Sequence, residues 1–426
     1  MKPYTTYTRG SYPAPVKEAI ILAGGLGTRL RESVPDLPKC MAPVAGRPFL
    51  FHVVNHLRNE GIERIIFSLG YKHEVIEAWL RDAFPALDTE IVIEDEPLGT
   101  GGAIQLAMQK AREENVLVTN GDTLFKVSVT GLFELHQSAR ATCTLALKPM
   151  QEFDRFGVVE ISGEGKVTGF REKKYYTSGL INGGTYIISA KPFLANGFPE
   201  KFSFEKDFLE TLPTGLYGCK QDGYFIDIGI PEDFQRADIE LTKPPLDLSK
   251  IDSTWTLFLD RDGVINVDKE GSYIFHPNEF LFLEGAPALF KKLADRFGKI
   301  FLATNQRGVG RGLMDVDMLN LIHGQMVGKI EEAGGRIDRI YAATALENTD
   351  TFRKPNNGMA LAARYDFPGT DLSKSIMVGN NLSDMQFGRN TGMYTVFITT
   401  TRPHQAFPHP DIDLIYPLLA DFAKAL

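Results

Sequence analysis

Two α/β domains, each built on a doubly wound and mainly parallel sheet, are predicted by three observations. Short apolar runs alternate with amphipathic helical patterns, the runs end in glycine or a carboxylate, and the pattern starts afresh after a Pro-Pro connector. At 426 residues the chain is too long for one ordinary core, and two domains are the economical division. The runs at 18–23 (EAIILA), 64–69 (RIIFSL), 90–94 (EIVIE) and 116–119 (VLVT) read as buried strands, and 49–60 and 73–84 as helices between them. From 142 to 188 the texture becomes β-rich, with a Gly163-Glu164-Gly165 hairpin signal, so antiparallel strands are expected beside the parallel core. Residues 242–254, with Pro244-Pro245 and no sustained period, read as a linker. Four further strand runs follow it: WTLFLD, KIFLAT, SIMVG and YTVFI. The expected organisation is a flexible leader over 1–17, a first domain over 18–241, the linker, and a second domain over 255–426.

Bulk properties narrow the chemistry. Hydrophobic residues at 43% and charged residues at 23% exclude a disordered or membrane class. A formal net charge of -8 offers no footprint for nucleic acid, so an anionic substrate has to be met by local cations or metal ions. Cys40, Cys143 and Cys219 are too few and too scattered for a disulfide framework or a zinc site, which suits a reducing cytoplasm. No run reaches the length of a membrane span, and the eight histidines show no metal spacing. Homo-oligomerisation is left open by the sequence.

In the first half, Gly24-Gly25-Leu26-Gly27-Thr28-Arg29-Leu30 follows a strand directly, where freed backbone N–H groups can face phosphates and Arg29 can grip them bidentately. Such a turn alone is equally well a tight strand-to-helix corner. Its company is informative. Lys39 is held between Pro38 and Pro43 in a stiff segment, Gly99-Thr100-Gly101-Gly102-Ala103 permits close approach of a base or ribose, and Asp122 ends an apolar strand. A carboxylate at a strand's carboxyl end lies where doubly wound sheets bind ligands, which makes Asp122 a candidate metal ligand.

In order and spacing these blocks resemble the sugar-phosphate nucleotidylyltransferases over about the first 240 residues. The resemblance implies a mixed-sheet, Rossmann-like nucleotidyltransferase fold. It assigns Gly24, Gly25, Gly27, Thr28, Arg29 and Lys39 to a triphosphate, Gly99, Thr100 and Gly101 to base and ribose, and Asp122 with Asp227 to magnesium. Lys173 falls to the sugar phosphate, and Asn182, Gly183 and Glu205 to the sugar. The wording from Leu22 to Leu50 is most similar to heptose 1-phosphate guanylyltransferases, which implies GTP.

In the second half, Asp260 and Asp262 stand two residues apart where WTLFLD ends. The spacing serves a nucleophile and its acid/base partner, and equally a surface loop or a plain cation site. Thr304-Asn305, Arg353-Lys354 and Gly379-Asn380-Asn381-Leu382-Ser383-Asp384 complete a succession that resembles the four motifs of haloacid dehalogenase phosphatases. That resemblance implies a second Rossmann-like domain with a minimal cap. Asp260 becomes the nucleophile and Asp262 the acid/base, while Thr304, Asn305, Arg353 and Lys354 bind the phosphoryl group. Magnesium falls to Asp260, the Asp262 carbonyl, Asn380 and Asp384. DRDGVIN, TNQRGVGRG and RKPNNGM are most similar to heptose 1,7-bisphosphate 7-phosphatases.

Two departures stand out. ATALENTDTF, just before Arg353, has no cysteine or histidine, so the zinc of many relatives is not expected. Asn380 replaces the family's metal aspartate and brings an oxygen without its charge, with Asp384 as a partial substitute. The expected function is therefore bifunctional: removal of a heptose 7-phosphate, then nucleotidyl transfer to the 1-phosphate. The alternative is a mannose- or glucose-type transferase whose second domain has become a binding or structural module.

Overall fold

The computed structural model describes residues 5–6, 14–25, 36–212, 214–269 and 271–426. Gly27, Thr28 and Arg29 lie outside them. The chain divides into two compact units, Pro13–Lys243 and, with Met1–Tyr12, Pro244–Leu426.

The first unit is built on β1 (Glu18–Ala23), β2 (Arg64–Leu69), β3 (Asp88–Ile93) and β4 (Asn115–Asn120), with α1 (Phe49–Asn59), α2 (His73–Ala83) and α3 (Gly99–Met108) between them. The parallel order is β3-β2-β1-β4. Successive side chains of a strand point to opposite faces, which is why the inner runs β1, β2 and β4 are apolar on both, while the edge strand β3 opens with Asp88, Thr89 and Glu90. Ile21 and Phe67 join the core under α1 and α2, whereas Ile20, Ile66 and Val118 join a second core that contains Ile104 of α3. At the amino ends of the strands Arg64 ties together Glu18 and Glu90, leaving the carboxyl ends for chemistry.

The antiparallel additions expected after residue 142 are present. After the short β5 (Thr123–Phe125) come β6 (Cys143–Phe153), β7 (Val158–Ile161), β8 (Val167–Arg171), β9 (Tyr176–Ser189) and β10 (Leu216–Lys220). The long β9 pairs antiparallel with β4, β6 and β7. A separate two-stranded ribbon joins β5 to β11 (Phe225–Asp227), with Thr123 opposite Asp227.

The second unit is an all-parallel sheet of β12 (Thr256–Leu259), β13 (Lys299–Asn305), β14 (Arg339–Ala343), β15 (Ser375–Gly379), β16 (Tyr394–Ile398) and β17 (Leu414–Tyr416), in the order β14-β13-β12-β15-β16-β17. Helices α4 (Ala286–Arg296), α5 (Val316–Glu332), α6 (Gly358–Asp366) and α7 (Leu382–Thr391) accompany it. At its edge, Thr5–Thr6 pairs in parallel with β14, a contact invisible in two residues that are too short to show a period. Within 242–254, Ile251 is buried in the core of this unit and Leu246 and Leu248 pack against it, so the connector is partly seated. Among the described residues no helix is long and apolar enough to cross a membrane.

Two glycines are required by close approach. A Cβ on Gly379 would lie 2.3 Å from that of Asp384, so only glycine lets the start of α7 cross the end of β15. A Cβ on Gly101 would lie 2.3 Å from the Phe202 ring. The central strand β12 sends Leu257 and Leu259 to one core and Phe258 to the other, where its ring meets Phe301 edge-on at 5.3 Å. Phe258→Ala should therefore lower the unfolding free energy of the second unit by about 3–5 kcal/mol, measured by urea denaturation.

Candidate active sites

In the first unit the carboxyl ends of β1, β2 and β4 open onto a cavity of about 820 Å³. Its lining includes Gly24, Gly25, Lys39, Glu94, Gly99, Thr100, Asp122 and Asp227. Asp122 and Asp227, distant in sequence, become neighbours because β5 and β11 pair and Ile228 N donates to Asp122 O at 3.1 Å. Lys39, in a 3-10 turn after Pro38, reaches between them, 2.5 Å from Asp122 Oδ2 and 3.4 Å from Asp227 Oδ1. Burial and the charge of Asp122 raise the Asp227 carboxyl above the usual range, and Lys39 and the Gly229 N–H only partly oppose them.

The three residues that the sequence assigns to base and ribose take different places. Gly99 and Thr100 line the cavity, whereas Gly101 is buried, gives its N–H to Phe202 O at 3.1 Å and serves packing. Sequence reading missed Glu94, which follows β3 as Asp122 follows β4. Its carboxylate accepts from Ser68 Oγ at 3.1 Å and Leu98 N at 3.2 Å, which fixes it in the wall. The proposed sugar residues lie outside this cavity lining. Asn182 bridges Tyr186 and Gly184 N at a register shift within β9, burial and then the charge of Glu205 raise the Tyr186 phenol, and Lys173 is exposed on a loop.

In the second unit Asp260 follows β12, and Lys354 Nζ lies 2.9 Å from Asp260 Oδ1, 2.6 Å from Asp384 Oδ1 and 2.7 Å from Ala303 O. Lys354 and Asp384 side chains are each 1% exposed. Burial raises the Asp260 carboxyl; it would lower the Lys354 ammonium, but the two carboxylates outweigh it and raise that group. Asp384 Oδ2 also accepts from Asn381 N at 3.0 Å. Asp384, a magnesium candidate from the sequence, thus holds Lys354 with one oxygen and caps α7 with the other. Asn380 gives its Nδ2 to Thr401 Oγ1 at 3.0 Å, which leaves Oδ1 as the end available to a cation.

Thr304 is buried and accepts from Gln306 Nε2 at 2.9 Å; Asn305 makes two hydrogen bonds to the backbone of Lys354. Arg353 turns toward Asn348, and burial, with the charges of Arg307 and Arg311 after it, lowers its guanidinium below the usual range. Asp262 is held by Arg261, Asn266 and Gln306. Burial alone would raise its carboxyl, yet Arg261 and these hydrogen bonds outweigh burial and hold it below the usual range.

A lysine clamped between strand-end carboxylates beside a glycine-lined cavity defines a phosphate-handling site on a doubly wound sheet. The Nucleotidyl transferase family model matches residues 18–243, more than half of the chain, and the chain belongs to that family. A HAD-hydrolase-like model matches residues 351–421, so the second unit carries a likeness of its own. The chain is 51% identical over 226 residues to the D-glycero-alpha-D-manno-heptose 1-phosphate guanylyltransferase of Aneurinibacillus thermoaerophilus, covering 53% of this chain and 98% of that protein. It is 43% identical over 219 residues to the protein of the same name from Campylobacter jejuni, covering 51% and 96%. Among solved structures, HddC from Yersinia pseudotuberculosis is similar with 37% identity and a TM-score of 0.49, covering 53% of this chain and 99% of that one.

Two outcomes follow from these geometries. A protonated Asp227 cannot ligate a cation, and its raised carboxyl takes up a proton above the usual carboxylate range. Magnesium titrated calorimetrically into the chain should therefore bind more weakly as pH falls from 7.5 to 5, and Asp227→Asn should bind weakly throughout. Lys354→Met leaves two carboxylates without their cation and should cost the second unit about 3–5 kcal/mol in denaturant titration.

Proposed function

We propose that the first unit joins a sugar 1-phosphate, a heptose 1-phosphate foremost, to the guanylyl group of GTP and releases pyrophosphate. The observation that carries this reading is the convergence of Asp122, Asp227 and Lys39 at the cavity bordered by Gly24–Gly25 and Gly99–Thr100. The sugar phosphate oxygen attacks the α-phosphorus in line, and the bond to pyrophosphate breaks. No protein nucleophile or base is required, because a phosphate monoester is already ionised. Bringing two anions together is the difficulty, and Lys39 is placed to offset their repulsion. Asp122 and Asp227 fit magnesium, which takes one or two carboxylates and completes its shell with substrate phosphates and water. When bound, the ion would stabilise charge on the α-phosphoryl and leaving oxygens.

Glu94 supports guanine. A fixed carboxylate can accept both the N1–H and the exocyclic N2–H of guanine, whereas adenine and cytosine would turn a ring acceptor toward it and uracil or thymine would offer one N–H. A site built around such donors discriminates strongly against analogues that lack them.

For the second unit the reading is a phosphomonoesterase that removes the 7-phosphate of a heptose 1,7-bisphosphate and so supplies the acceptor of the first. Asp260 attacks phosphorus and the bond to the leaving oxygen breaks as protonated Asp262 gives that oxygen its proton; the Asp262 carboxylate then takes a proton from the water that cleaves the aspartyl phosphate. Thr304 and Lys354 would steady the phosphoryl oxygens. Asp260, the Asp262 carbonyl and Asn380 Oδ1 fit a magnesium ion held with little protein charge, which would polarise the phosphoryl group when bound. A cytoplasmic setting suits both nucleoside triphosphates and three free thiols.

The test is a panel of GTP, ATP, CTP and UTP against heptose, mannose and glucose 1-phosphates, with released pyrophosphate measured. GTP with heptose 1-phosphate should give the highest kcat/KM, and Glu94→Gln should reduce the preference for GTP over ATP by at least about tenfold. Equal rates with all four nucleotides would remove the guanylyl reading.

A further inference from the structure

We propose that His323 is a positioning residue of the second site: through Arg261 it fixes the Asp262 carboxylate in the orientation that accepts a proton from the hydrolytic water. This rests on the phosphomonoesterase reading above.

Arg261, between the two site aspartates, is the largest fully buried side chain among the described residues. A guanidinium carries five N–H donors and no acceptor, so a buried one needs acceptors from the protein. Nε donates to Asp262 Oδ1 at 3.1 Å, and Nη2 reaches both Asp262 oxygens at 3.0 and 2.9 Å and Gln306 Oε1 at 3.0 Å. The remaining arm, Nη1, donates to Nε2 of His323 at 3.1 Å. Arginine can only donate, so His323 Nε2 must be the acceptor, and the neutral ring carries its proton on Nδ1.

That arrangement is costly for the helix that supplies it. His323 lies on the buried face of α5, among Leu319, Ile322, Met326, Val327 and Ile330, and its Nδ1 is buried with no hydrogen-bond partner. Packing alone would be served better by an apolar residue there, because an unsatisfied buried donor is destabilising. What the ring supplies is one acceptor, and that acceptor stops the guanidinium from rotating out of the plane of Asp262. Gln306 closes the network from the other side by donating to Asp262 Oδ2 at 3.1 Å.

The step this serves is the second half of the reaction. Water oxygen bonds to the phosphorus of phosphorylated Asp260, its proton passes to the Asp262 carboxylate, and the phosphorus–oxygen bond to Asp260 breaks. Asp260 is released as a carboxylate, and inorganic phosphate departs.

The experiment uses the full chain with magnesium and p-nitrophenyl phosphate. His323→Phe keeps the volume and removes the acceptor; its kcat should fall about 10- to 100-fold, KM should fall with it, and kcat/KM should change less than about twofold, within the range of acid–base contributions. Nitrophenolate should appear in a burst near one per chain, because the aspartyl phosphate now accumulates. His323→Gln retains an acceptor and should hold kcat within about threefold of wild type. Wild-type kcat in His323→Phe, or a loss confined to KM, overturns the positioning role alone. A wild-type chain that hydrolyses no phosphate ester overturns the phosphomonoesterase reading and the role with it. Should His323→Phe fail to fold, 15N NMR of the wild-type histidines decides: a bare Nε2 with protonated Nδ1 supports the role, and a protonated Nε2 overturns it.

Discussion

A lysine held between two carboxylates stands at the centre of each unit, and the other site features are arranged around it. Two carboxylates a few ångströms apart repel, and each raises the other's affinity for protons unless a cation intervenes. Lys39 intervenes between Asp122 and Asp227, and Lys354 between Asp260 and Asp384. Asp122, Asp227 and Asp260 arrive from strand ends or the loops just beyond and Asp384 from the first turn of α7, while the lysine of each unit arrives from a segment braced by proline. The parallel sheets can be seen as the means of delivering these charges to one place.

The two clusters differ in how freely they can exchange partners. Lys39 is 15% exposed and lines a cavity, so its ion pairs can give way to triphosphate oxygens and a metal ion. Lys354 is sealed at 1%, and Asp384 is committed to it and to the cap of α7. In the proposed phosphomonoesterase the charge offered to magnesium would therefore come from Asp260, with Asn380 contributing a neutral oxygen. A buried pair of this kind is sensitive to losing one member more than it is stabilising as a whole. The first site is built to be remade by substrate, the second to hold its geometry.

Much of this was legible in the sequence because apolar strands ending in glycine or a carboxylate mark both the sheet and the ligand end of it. The β1 run before Gly24 and the β12 run before Asp260 are of this kind. Periodicity reports which face a residue takes but not its partner across the fold. Hence nothing in the pattern showed that Gly101 packs on Phe202 or that Asp384 holds Lys354. Histidine spacing carried no signal for His323, since its meaning lies in Arg261, 62 positions away. Glu94 carried the same strand-end signal as Asp122 and could have been found by it. Thr5–Thr6 and Ile251 join the second unit through contacts too short or too isolated to leave a pattern.

The central claim is that one chain carries two separable phosphate chemistries that act in order. It is tested most directly by 31P NMR of the full chain with magnesium, GTP and a heptose 1,7-bisphosphate. Such an order predicts inorganic phosphate first and pyrophosphate with a nucleotide sugar after it. It predicts neither product in Asp260→Asn, and sugar 1-phosphate accumulating beside inorganic phosphate in Asp122→Asn. Pyrophosphate formed from the bisphosphate without prior release of phosphate, or loss of both reactions in Asp122→Asn, would contradict it.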